Sequence, residues 1–143
     1  MNTSAKHKSI SSAMLLAIGF LMLVASAAAQ VKTYTINVPF DFRTAAQAYP
    51  AGEYRVTEIT QGAVLLRSLD NTVYSFILTS SISDRADRIL PAMLVFHRYG
   101  HEYFLAEIWF NSNTGGKAPV SNAELEYAKL SQKVDTKLLA STK

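Results

Sequence analysis

Residues 93–111 read MLVFHRYGHEYFLAEIWFN, and this stretch decides the fold. Two apolar runs flank Gly100-His101, a Gly-X pair suited to a tight turn between antiparallel strands. Pairing across the turn sets Tyr99 opposite Glu102, His97 opposite Phe104 and Val95 opposite Ala106. The other face carries Leu94, Phe96, Tyr103, Leu105 and Trp109. Both faces are largely apolar. Such a ribbon must be covered on both sides, by another sheet, a terminal helix or a partner subunit.

Upstream, the same periodicity recurs. In YTINVPFDF (34–42), Tyr34, Ile36, Val38, Phe40 and Phe42 alternate with Thr35, Asn37, Pro39 and Asp41, the pattern of a half-buried strand. Pro39 cannot donate to a ladder, which places this strand at an edge or bends it there. Tyr49-Pro50-Ala51-Gly52 has turn chemistry, and strands follow over 53–59, 64–68 and 72–79. Gln61-Gly62 and Asp70-Asn71 separate them as short hairpin turns. A two-residue turn at 70–71 sets Leu65 opposite Phe76 and Arg67 opposite Tyr74, with Tyr74, Phe76 and Leu78 on the face of Leu65. Residues 80–92 lack a strand pattern and read as a loop, with room for a helical turn over 84–90 before Pro91.

Downstream, 112–120 is a Gly-containing linker. Ser121-Asn122-Ala123-Glu124 matches a capping box. The helix it opens is expected to run to about Leu139, with Tyr127, Leu130, Val134 and Leu138 as its apolar stripe. The predicted fold is mainly β: an antiparallel meander of about six strands closing as a small barrel or sandwich, plus one C-terminal amphipathic helix. Its parts are a signal peptide (1–29), a β domain (30–111), the linker (112–120) and a helix with a tail (121–143).

The leader reading rests on order. Lys6, His7 and Lys8 precede the uncharged stretch AMLLAIGFLMLVA (13–25), and an Ala27-Ala28-Ala29 site follows, as in a cleavable secretory signal. The apolar stretch is too short for a spanning helix, so no stable membrane span is expected after cleavage. The localisation expected is export, to the periplasm or beyond.

The chain of 143 residues carries a formal net charge of +3, but from Gln30 onward 12 basic residues face 11 acidic ones, a net of +1. A nearly neutral chain with dispersed basic residues has no general pull on nucleic acid. Cysteine is absent, which excludes disulfides, thiol catalysis and thiolate metal sites.

PFDF (39–42), YPAGEYRV (49–56), LLRS (65–68) and LVFHRYGHEYFLAEIW (94–109) resemble a group of small exported bacterial proteins to which no function is assigned. The HRYG-x-x-YFL-x-x-x-W segment is the most specific part. The resemblance spans about residues 38–130 and implies an export signal, a compact β domain and a polar C-terminal helix. It implies no reaction, ligand or catalytic residue.

Candidate chemistry is sparse. His97 and His101 are the histidines of the expected mature chain. They are weak metal candidates, to be completed by Glu102, Glu107, or Asp84 with Asp87, yet one sits in a strand and the other in a turn, so they are not expected to converge. Glu58 and Glu107 are the carboxylates most embedded in apolar strands, with Arg67 and Arg98 positioned to neutralise them. Gly115-Gly116-Lys117 lacks the context of a phosphate loop. No catalytic constellation and no cofactor are implied.

The expected function is therefore a non-catalytic envelope module acting by protein binding or self-assembly. Its expected interface comprises Leu94, Phe96, Tyr103, Leu105 and Trp109 with the helical stripe Tyr127, Leu130, Val134 and Leu138. The alternatives are a small barrel holding an apolar small molecule between its aromatic side chains, or an enzyme of unknown reaction.

Overall fold

The computed structural model describes residues 31–83, 91–131 and 134–141. The leader and the segment 84–90, where a helical turn is expected, lie outside the described residues.

The smaller sheet has the order β1-β4-β5-β6, formed by β1 (Thr33–Val38), β4 (Gly52–Thr60), β5 (Ala63–Ser68) and β6 (Tyr74–Leu78). The larger sheet runs β11-β8-β9-β10-β7. Its members are β7 (Ser80–Ile82), β8 (Met93–Tyr99), β9 (Glu102–Trp109), β10 (Gly115–Lys117) and β11 (Asp135–Ala140). β2 (Phe42–Arg43) joins β9 in parallel and pairs antiparallel with β3 (Ala48–Tyr49). Among the described residues one helix, α1, spans Asn122–Leu130.

Neither sheet closes, which corrects the barrel expectation. Two sheets instead share one core. Ile36, Val38, Tyr54, Val56, Val64 and Leu66 of the smaller sheet pack with Phe42, Tyr49, Leu94, Phe96, Leu105 and Ile108 of the larger. Phe42 is central. It stacks on Tyr49 at 4.9 Å and meets Tyr54 and Phe96 edge-on, both at 5.2 Å. Rings at such spacing add about 0.5–1.5 kcal/mol per pair beyond burial. Pro39 acts as expected: β1 ends before it and forms a sheet edge.

Eleven strands are described where about six were expected. The short ones, β2, β3, β7 and β10, have two or three residues, too few for a period of two to show. β10 lies inside the expected linker and pairs with both β9 and β7. Its glycines admit close backbone approach. A Cβ at Gly115 would stand 2.8 Å from Ile108 O and from the Trp109 ring, and one at Gly116 would overlap the Thr79 side chain.

The helix is shorter than expected. The Ser131 N–H bonds back to Tyr127 O at 2.9 Å as the chain turns extended, and residues 135–140 then pair with β8, from Asp135↔Arg98 to Ala140↔Met93. The stripe reading fails because a strand satisfies more than a helix does here. It covers the otherwise open edge of β8 and tucks Leu139 against the core, whereas Leu130, Val134 and Leu138 remain exposed.

The β8–β9 register matches the expectation from Tyr99↔Glu102 to Phe96↔Leu105 and then shifts. A bulge sets Val95 opposite Glu107 instead of Ala106. The Ala106 carbonyl accepts from the Ala118 N–H at 2.8 Å. One extra residue reverses every side chain beyond it. Ile108 therefore joins Leu94 in the shared core, and Trp109 sits on the opposite face with Met93 and Val95. This corrects the grouping of Trp109 with Leu105.

Candidate functional site

The covered face of β8–β9 presents His97, Tyr99 and Phe104 to α1. Ser121 caps the helix by accepting the Glu124 N–H at 3.0 Å, half of the expected capping box. The Glu124 carboxylate turns inward instead of back to the cap. It is 4% exposed, with Oε1 2.9 Å from His97 Nδ1 and 3.4 Å from the Tyr99 hydroxyl. Tyr127 closes the contact with its ring 5.6 Å from that of Phe104. A buried carboxylate needs such partners, since an unpaired one is costly.

Burial first, then the Glu124 charge and the hydrogen bond to Glu124, raise the Tyr99 pKa. Tyr99 thus remains a donor. The His97 side chain is 32% exposed. A carboxylate on Nδ1 fixes the imidazole's orientation and leaves Nε2 as its other polar atom. The contact ties α1 to the sheet.

Sequence reasoning missed this carboxylate. It placed Glu102, Glu107, Asp84 and Asp87 around the histidines, and took Glu124 for the cap. Glu102 instead meets Arg43 at 2.9 Å, and Glu107 accepts from Trp109 Nε1 at 2.7 Å. Asp84 and Asp87 lie outside the described residues. His101 is exposed in the turn. Among the described residues no group of three or more His, Cys, Asp or Glu side chains is placed to hold a metal ion. Arg98 donates to Gly100 O at 2.8 Å and lies over the Tyr103 ring.

The expected interface is not assembled. Leu94, Phe96 and Leu105 are buried in the shared core, and Trp109 is buried on the far side of the same ribbon. Tyr103 stacks on Phe40 at 3.8 Å. Tyr127 packs on Phe104, while Leu130 in α1, Val134 between the elements and Leu138 in β11 are exposed.

A different apolar surface is open. β5 turns Val64, Leu66 and Ser68 inward. The register Leu65↔Phe76 and Arg67↔Tyr74 is as the sequence indicated. It follows that Ile77 enters the core, while Tyr74, Phe76 and Leu78 stand outside at 64%, 62% and 74% exposure. The more apolar side of β6 faces solvent. Beside it, Leu65, Arg67, Asn71, Tyr74 and Phe76 line a depression of about 320 Å³. Arg55 and Arg67 are directly opposed on this same face, and like charges so placed repel.

The signal for this surface was in the hairpin at 70–71, which already set the three side chains beside Leu65. The contiguous run AVLLRS concealed which of its faces was the core. No family model, curated protein or solved structure matches the chain.

Proposed function

We propose that this chain is an exported, non-catalytic β module of the cell envelope that acts by binding protein through the outer face of its smaller sheet. One observation carries the reading: Tyr74, Phe76 and Leu78 form an exposed apolar row on a strand without a charged residue. Scattered exposed apolar residues need no explanation, whereas a contiguous row marks an interaction surface. The leader pattern supports export, and intact mass of the accumulated protein tests it: a mass that includes residues 1–29 refutes cleavage. The binding reading is tested by capturing proteins from the chain's own envelope fraction on the wild type and on Phe76→Lys. Loss of specific captured species with the variant is expected. Identical capture by both removes this face from the function.

A further inference from the structure

The backbone of β6 carries the argument beyond its side chains. The Ser68 N–H donates to Val73 O and the Thr79 N–H to Gly62 O, each at 2.8 Å. With this register the backbone groups of Ser75 and Ile77 also face β5. Those of Tyr74, Phe76 and Leu78 then point away from the sheet. Among the described residues β6 ends its sheet, so these groups form its outer edge with no strand paired to it. Edges are ordinarily blunted by Lys, Pro, a bulge or a covering segment. The strand YSFIL has no charge and no Pro, and its register with β5 is unbroken. Two side chains guard the edge: Gln47 Nε2 donates to Tyr74 O and Ser75 Oγ to Phe76 O, each at 3.3 Å. Alongside runs an apolar groove of about 210 Å³, walled by Ala45, Ala46, Phe76, Leu78 and Pro119.

We infer that the occupant of this edge is β6 of a second copy of the chain, paired antiparallel about a twofold axis at Phe76. This rests on the binding reading above and names its partner. A twofold there sets Phe76 opposite Phe76 and Tyr74 opposite Leu78. The three outward residues of each copy then exchange N–H···O bonds, and the two four-stranded sheets become one. The strand is self-complementary because nothing charged meets its like. Stacking the two sheets face to face is disfavoured, since it brings the opposed Arg55 and Arg67 of each copy together.

Aromatic side chains bury roughly 150–250 Å² each. Two of the six outward side chains are leucines and all six are already about one-third covered, so they bury at most on the order of 800 Å² in total, below the about 1,200 Å² of stable interfaces. The dimer is accordingly weak and concentration-dependent.

Sedimentation velocity on the full chain, in the form cells accumulate, tests this between about 10 µM and about 1 mM. The sedimentation coefficient of the wild type rises toward that of a dimer. Phe76→Lys weakens association about tenfold or more, because the dyad counts each change twice. Leu78→Pro keeps an apolar side chain and removes only an outward N–H, and it also weakens association about tenfold. Gln47→Ala frees the Tyr74 carbonyl and tightens association a few-fold. Thermal melts that match the wild type show each variant folded.

A wild type that stays monomeric throughout overturns the pairing. So does a dimer indifferent to both Leu78→Pro and Gln47→Ala, which would be held by side chains alone. Neither result touches the envelope capture by Phe76, so self-pairing and protein binding fail separately.

Discussion

Glu124 Oε1 lies 2.9 Å from His97 Nδ1, joining the first turn of α1 to the middle of β8. The carboxylate is the more buried partner, and it also takes the Tyr99 hydroxyl. Glu124→Ala strands both donors and costs about 1–3 kcal/mol of stability. Glu124→Gln keeps the shape and an acceptor, and costs less. Urea denaturation of the two variants checks the order. Equal stability of wild type and Glu124→Ala would show that the contact holds nothing.

Two tyrosines set an alkaline limit. Tyr54 is pushed up to about 12, by burial first and then by the neighbouring Tyr49, Asp70 and Asp41, while its hydroxyl donates to Pro50 O. Tyr99 is raised as well. A folded pKa above the unfolded value of about 10 means that the native state holds the proton more tightly. The resulting stability is complete below pH ~10 and is lost as pH climbs toward ~12. Denaturation midpoints across that window are expected to fall, and Tyr54→Phe is expected to fall less steeply. An unchanged slope in Tyr54→Phe assigns the effect elsewhere.

The glycines of β10 are expected to be intolerant. Gly116→Ala drives a methyl into Thr79, with a cost on the order of 1–3 kcal/mol. Thr79→Ala in the same chain returns part of it, and the double-mutant cycle measures the coupling. Additive effects would contradict the close approach, and full tolerance of Gly116→Ala would restore the linker reading.

Leu138 and Leu139 separate strand from helix at the C-terminus. In β11, Leu139 packs on the core and Leu138 is about half exposed. Leu139→Ala is expected to cost about 1–2 kcal/mol, below the range for fully buried leucines. Leu138→Ala falls within about 0.5 kcal/mol of the wild type. A helix continuing through the stripe of Tyr127, Leu130, Val134 and Leu138 reverses that order.

Local patterns were legible where the chain settles matters with its immediate neighbours. Pro39 ended a strand and marked an edge because a missing N–H has the same consequence in any context. Gly62 and Asn71 turned their hairpins with positive φ, at 88° and 61°. Ser121 announced the start of α1 correctly. The chain beyond Leu130 was not legible in this way, because the steps of four from Leu130 to Val134 to Leu138 are also multiples of two and so fit a strand as well as a helix. The choice fell to the open edge of β8, 37 residues earlier at Asp135↔Arg98. Glu124 misled for the same reason. Its spacing from Ser121 fits a capping box, yet His97 and Tyr99 offered its carboxylate better partners.

The sequence by itself determined the β character, the hairpins and their registers up to the bulge, since alternation and turn chemistry act over a few residues. Only the tertiary structure decided which side of each ribbon is inside. A period of two divides residues into two sets without saying which is buried. That choice is made when the second sheet arrives, burying Ile77 and leaving Tyr74, Phe76 and Leu78 in water.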